Sequence, residues 1–506
     1  MARYLTTDEI NTRLQALADD PANAGIVTVF KLDKPSSADG RDIKCIRISK
    51  APADKPPVGV LIVGGVHARE WAPPDSLVDF AERLVKCFTA RKPYVDPRFV
   101  LDAKKSATDG SYTGTVIYDE TKPDLFSLPD IDRVFKNLEV FIVPCVNPDG
   151  RNFSQQAGTI TGVLDRDGKA VPKFRWRKNR KDYGVCTDGG PAIGVDINRN
   201  FDLPAWNIEL YFKNGPTDLD EAKRHTAVAK DFGKLEGNFF QNYHGPSAGS
   251  ENETQNIQKL ITDKKIRFFL DIHGFHGEIY WPWGFNPDQP AGSPDPTQSQ
   301  FNPKWNNIAA NPPAQQGRPF KKPATFSEFF PTSPAYDLLD SHQKLAGTMA
   351  GLIQLAAGTD VHAKARSNYA TKQSIDLYPT AGSSDDFALN TQLEKDPVPD
   401  PTKGDKVRIK PALFPVFAFT IEVGLKDGSD GEFWPSISST SNQFLKVRRE
   451  AQFAVIAMLK YAATWSPVVM STPPASGSTS KGCLSMIILL ITFASLSVFS
   501  LFYWFL

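Results

Sequence analysis

Four short apolar runs punctuate the chain: Val58–Val63, Leu138–Val143, Arg267–Ile272 and Val416–Ile421. Each is bounded by turn residues and shows no polar alternation, the pattern of strands buried on both faces. Between them, Asp75–Phe88 and Phe444–Ala463 carry apolar residues three and four apart, which predicts helices with one buried face. Strands and helices in alternation predict an α/β fold, a central sheet covered by helices on both faces.

Three stretches break this rhythm and read as long surface insertions: Lys92–Leu128, Asn286–Pro334 and about Asn390–Lys410. The predicted catalytic unit is residues 1–465. Residues 466–483 read as a Pro/Ser/Gly linker. Leu484–Leu506 is almost wholly apolar and long enough to span a bilayer. A core helix of that length would show a polar face, so the segment is expected to meet a membrane. No internal repeat is visible.

Composition narrows the partners. Lys and Arg number 58 against 57 Asp and Glu, which removes any general electrostatic case for nucleic acid. Five cysteines, Cys45, Cys87, Cys145, Cys186 and Cys483, show neither CxxC pairing nor metal-finger spacing. The first three lie in apolar surroundings and read as core thiols. The N-terminus has no apolar run that would read as a signal peptide.

Chemistry enters with GGVHAREW, directly after the first apolar run. His67 and Glu70, three apart at a strand exit, can grip one metal ion if the loop turns both inward. HxxE alone is a common surface pattern. A catalytic zinc needs a third protein ligand, and His273, ending the run RFFLDIHG, is placed by its strand at the sheet edge. His276 is the rival ligand. His225, His342 and His362 lie in polar or helical settings and read as surface residues; His244 lies in a loop. Glu422 ends VFAFTIE, where a carboxylate is expensive to bury unless it is paired or used. It reads either as a general base or as half of an ion pair. FRWRKNR (Arg175, Arg177, Lys178, Arg180) and GVDINRNFD (Asn198, Arg199) offer guanidinium groups suited to gripping a carboxylate. A solvated basic surface is the plainer reading of that charge run.

In order, HAREW, NPDG, WRKNR, GVDINRNFD, DIHGFH, LYPTAGSSDDF and TIEVG resemble the zinc carboxypeptidases of the A/B type, peptidase family M14, over about residues 5–465. The resemblance implies a single α/β domain with a mixed, mostly parallel, twisted sheet. It implies one zinc ion on His67, Glu70 and His273, with Asp196 orienting His67 from behind. It implies Glu422 as the base and Arg177 as the group that polarises the scissile carbonyl. It gives Asn198, Arg199 and Tyr378 the substrate's terminal carboxylate. The implied activity is removal of the C-terminal residue of peptides and proteins. Asp385, just before Asp386, falls where the family reads the substrate side chain, and an acid there implies a leaning to Lys and Arg. Gly284 and Gln373, which the resemblance also places at that pocket, do not clearly match the basic-specific pattern.

The chain departs from digestive members in several places. It begins near YLTTDEI with no pro-segment in view. Ala192 and Phe239 stand where the family's usual disulfide would be, and Phe275 stands where many members have Tyr. The apolar end reads as a GPI signal after Ser476, Gly477 and Ser478, or as a retained tail anchor with Cys483 open to palmitoylation. Sequons at Asn152 and Asn252 favour the outer cell surface; a tail anchor facing the cytosol is the alternative. Two rival functions remain: a zinc amide hydrolase on a small acylated amino acid, and a zinc-free binding protein on a peptidase fold.

Overall fold

A computed structural model describes residues 3–94, 100–105, 112–117, 126–164, 168–185, 191–203, 241–282, 284, 338–357, 369–374, 377, 380, 382–390, 393–395, 409–411, 416–424, 433–435 and 443–465. Eight strands make one sheet: β1 (Val27–Lys31), β2 (Lys44–Ile48), β3 (Val58–Gly64), β4 (Leu138–Val143), β5 (Ile266–Gly274), β6 (Glu278–Trp281), β7 (Ala370–Gln373) and β8 (Phe417–Val423). Their order is β1-β2-β4-β3-β5-β8-β6-β7. The middle four, β4-β3-β5-β8, are all parallel. β1 and β2 extend one side by antiparallel pairing. On the other side β6 runs antiparallel to β8, and β7 parallel to β6. The sheet is therefore mixed, with a parallel heart.

The four apolar runs are the four parallel strands. Their residues are almost all buried, which is why no polar alternation marks them. The predicted helices lie at α2 (Ala72–Thr89) and α8 (Gln443–Thr464). They join α1 (Thr7–Asp19), α3 (Leu128–Asn137), α4 (Pro148–Ser154), α5 (Asn252–Asp263), α6 (Leu338–Ala357) and α7 (Ser384–Asn390). α8 packs against α2, α3 and α6, while α5 and α7 touch each other and β5.

Within the first insertion, Val100–Lys105 and Tyr112–Ile117 pair as a hairpin. In the third, Leu393–Lys395 pairs with Ile409–Pro411. Residues 286–334, Cys186, Cys483, Phe239, Tyr378 and the apolar end 484–506 lie outside the described residues. Among the described residues no helix is long and apolar enough to cross a membrane. Cys45 and Cys145 are buried free thiols; Cys87 is only half-buried.

His342 corrects the surface reading. It is fully buried, its ring beside Phe417 and Phe419, and its Nε2 accepts the Ala418 N–H at 3.2 Å. A long helix against a sheet buries one face whatever its polar content, and this imidazole is kept there by a backbone donor.

Candidate metal centre and active site

In a parallel sheet the loops at the strands' carboxyl ends share one rim. β3 delivers His67 and Glu70 there, β4 delivers the NPDG turn, β5 ends at His273 and Gly274, and β8 ends just past Glu422. Two strands are in register so that His273 stands directly beside Glu422. Neighbours in a parallel pair share a face, with strands about 4.8 Å apart.

His67, Glu70 and His273 converge, all three buried. His67 Nδ1 is 2.7 Å from Glu70 Oε1, and His273 Nδ1 is 3.0 Å from both Glu70 Oε2 and His67 Nδ1. Two imidazole nitrogens and a carboxylate this close suit three lone pairs aimed at one cation. The opposite ring nitrogens agree. His67 Nε2 lies 3.4 Å from Asp196 Oδ1, and His273 Nε2 lies 3.0 Å from Asp271 Oδ2. Neither contact has hydrogen-bond geometry, but a carboxylate that close behind a ring favours the proton on Nε2 and leaves the Nδ1 lone pair for a cation. Burial lowers the His67 pKa, with the Arg177 charge adding to it, so that ring is neutral as a ligand must be. Burial pulls His273 the same way, but Asp271 and Glu70 raise it well above the usual value. That is the negative field that also attracts a metal cation. The residues fit a single zinc. His276 is not in the cluster; it stacks on Phe275.

Arg177 is buried, and its Nε donates to Asp196 Oδ2 at 2.9 Å. Its own backbone joins the metal loop, since Ala68 N–H donates to Arg177 O at 2.9 Å. Burial alone would raise Asp196, but Arg177, Arg199 and His67 hold its carboxyl well below the usual range. Asp196 therefore stays ionised behind His67. The FRWRKNR run is not a solvated surface at this point. Trp176, Arg177, Lys178 and Asn179 are all buried.

Asn198 and Arg199 follow on a short turn that Asp196 caps through the Asn198 N–H. Asn198 Oδ1 accepts Ser384 N–H at 2.9 Å, so the amide presents its NH2 group for other uses. Arg199 is buried and donates to Asn198 O at 2.7 Å.

Glu422 has no cation at hydrogen-bond distance among the described residues, and its Oε2 has no hydrogen-bond partner there. Burial, then the charge of Glu70, push its carboxyl up to about 7. An ion pair, the other of the two sequence readings, would have lowered it. The strand end is held on both sides: Gly277 N–H donates to Glu422 O at 2.7 Å, and Gly424 N–H donates to Glu450 Oε2 at 2.9 Å.

Asp385 and Asp386 are both buried at the start of α7. Asp386 accepts the Gly284 N–H on both oxygens, at 3.0 and 3.1 Å. Among the described residues Asp385 accepts from the Ser374 hydroxyl at 3.1 Å and the Asp386 N–H at 3.0 Å, and the neighbouring Ser383 side chain also favours its charged form. Burial raises the pKa of both, Asp386 well above the ordinary carboxylate range with the Asp385 charge adding to it.

Sequence reasoning missed two supports. Asp271 was hidden inside an apolar run, although it sits two residues before His273 and so on the same face. Arg151, after the NPDG turn, is buried and ties the loop beyond Glu70 to the N-terminus. It donates to Asp75 Oδ1 at 2.6 Å, Trp71 O at 3.1 Å and Leu5 O at 2.7 Å. Losing either charge would strand the other inside the protein.

A model of the zinc carboxypeptidase family, peptidase M14, matches residues 14–99 and 108–448. Carboxypeptidase B of Astacus astacus is 27% identical over 289 residues, 57% of this chain and 66% of its own. Carboxypeptidase A2 of Mus musculus is 25% identical over 288 residues, 57% of this chain and 48% of its own. The chain thus spans about half to two thirds of the length of these curated relatives. Bovine thrombin-activatable fibrinolysis inhibitor, solved with a tick carboxypeptidase inhibitor, shares the fold at a TM-score of 0.51 and 15% identity. That match covers 91% of this chain and 97% of the bovine one.

Proposed function

Since this chain belongs to the zinc carboxypeptidase family, we propose that it is an exopeptidase that hydrolyses the last peptide bond of peptides and proteins, with a preference for C-terminal Lys or Arg. The observation that carries the reading is the register that sets Glu422 beside His273, at the rim where His67 and Glu70 converge.

His67, Glu70 and His273 would hold the zinc, which when bound would supply Lewis acidity toward the scissile carbonyl and a more acidic water. Glu422 takes the proton from the attacking water and passes it to the leaving amine. Arg177, steadied by Asp196, donates to the oxygen that gains negative charge. Asn198, Arg199 and Tyr378 hold the substrate's free carboxylate, which confines cleavage to the last bond. Asp385 faces a cationic side chain, and Asp271, whose charge adds to the upward push on Asp385, makes that pocket more negative. A small-amide hydrolase would have less use for the Asn198–Arg199 pair.

The test uses the full chain and matched peptides ending in Arg, Leu or Glu, with and without a chelator. Chelator-sensitive release of the terminal residue, fastest for Arg, is the expected result. Zinc-loaded, folded protein that released nothing from any of the three would end the peptidase reading.

Leu484–Leu506 is read as a membrane attachment on its length and lack of charge. Cell fractionation checks this, the expected result being that the full chain sediments with membranes; a wholly soluble chain refutes it.

A further inference from the structure

Asp271 is fully buried in β5, the longest strand of the sheet. A carboxylate in that position is costly unless polar groups use it. Two lie against Oδ2: the Ser384 hydroxyl, which donates at 2.6 Å, and His273 Nε2, at an ion-pair distance of 3.0 Å without hydrogen-bond geometry. Ser384, the first residue of α7, turns its backbone N–H to Asn198 Oδ1 at 2.9 Å. An unbroken chain of polar contacts thus runs from His273 through Asp271 and Ser384 to Asn198. It crosses from β5 to α7 to the turn after Asp196, three segments far apart in sequence.

The geometry points to Asp271 as the positioning residue for the metal ligand His273, with Ser384 fixing Asp271 and joining it to the wall that carries Asn198. This rests on the metal reading of His67, Glu70 and His273. A carboxylate behind an imidazole does two things: it holds the proton on the far nitrogen, and it makes the near one a better donor to a metal. Asp196 does the same behind His67, but at 3.4 Å, and it is shared with the Arg177 guanidinium and the Asn198 N–H. Asp271 is nearer its ring, and among the described residues its other partner on Oδ2 is a hydroxyl. Ser384 also explains why the acid stays put. The Ser384 hydroxyl holds one lone-pair direction of that oxygen by a hydrogen bond, and the His273 ring nitrogen lies against it at 3.0 Å, close but outside hydrogen-bond geometry.

The measurement is the zinc dissociation constant of the full chain, by competition with a chelating chromophore. It is made on the parent and on Asp271→Ala, Asp271→Asn and Ser384→Ala. Asp271→Ala weakens zinc binding by about 10- to 100-fold, the usual cost of removing such a partner. Asp271→Asn keeps an acceptor for the ring N–H and recovers part of that loss. Ser384→Ala gives a smaller loss in the same direction, since its backbone bond to Asn198 survives. A folded Asp271→Ala protein that holds zinc as tightly as the parent overturns the assignment. If that variant does not fold, the other two decide, and parent-like affinity in both overturns it. A parent that binds no zinc would bring down the metal reading itself, and this role with it; parent-like variants bring down the role alone.

Discussion

Glu422→Gln leaves a folded, zinc-loaded protein that binds peptides and turns them over about 10²- to 10⁴-fold more slowly, the usual contribution of a positioned general base. The amide has nearly the carboxylate's shape, so packing at the end of β8 survives, as do the backbone bonds from Gly277 and Gly424. What disappears is a group able to take a proton from water. The loss falls on kcat, with KM little changed, because the substrate's carboxylate is held elsewhere. The pH profile separates this role from a structural one. Burial and Glu70 push Glu422 up to about 7, and His273 and Arg177 pull the other way. A base works only when deprotonated, so kcat/KM of the parent falls as pH drops through that value. Bound zinc adds positive charge and moves the limb lower. The Gln variant lacks this acid limb. A Gln variant with parent-like kcat would remove Glu422 from the mechanism.

How much of this was legible in the sequence follows from burial. The four parallel strands were readable because both faces are covered, so their residues form unbroken apolar runs. The other four were not: Lys44–Ile48 mixes half-buried Lys44 and Arg47 with buried residues, without a clean alternation, and Ala370–Gln373 carries three polar residues out of four. They are strands because the sheet offers them a partner, a tertiary effect that local pattern does not carry. His273 and Glu422 stood out as polar residues ending apolar runs. Asp271 did not, because one acid within a nine-residue strand looks like an interruption until its neighbours on the same face are known. Arg177 and Asp196 are 19 residues apart, and their 2.9 Å contact has no local signature. Only the resemblance brought them into one site. His342 was misread for the converse reason, since its partner, the Ala418 N–H, belongs to a strand far along the chain.

Asp385→Ala reverses the substrate preference. The pocket holds two adjacent buried acids with different tasks. Asp386 spends both oxygens on the Gly284 N–H and so shapes the wall. Among the described residues Asp385 has the Ser374 and Ser383 side chains and one backbone N–H against it, none of them charged, so a substrate cation would be the group that balances it. Burial raises its pKa, so in an empty pocket it holds its proton to a higher pH than an ordinary carboxylate, and an arriving guanidinium or ammonium favours the charged form. Removing one partner of such a desolvated pair costs about 2–5 kcal/mol, or about 30- to 4,000-fold in kcat/KM for peptides ending in Arg. Peptides ending in Leu are spared that loss and gain from a less polar pocket. The sign of the pH effect follows from the raised pKa. Asp385 is protonated at a higher pH than an ordinary carboxylate, so the parent's preference for Arg over Leu weakens early as the solution is acidified. In Asp385→Ala the ratio no longer follows that titration. Matched Arg and Leu peptides across a pH series measure both effects. An Arg-to-Leu ratio unchanged by the substitution would mean that Asp271, with its free Oδ1 in the same region, or some other group sets the specificity.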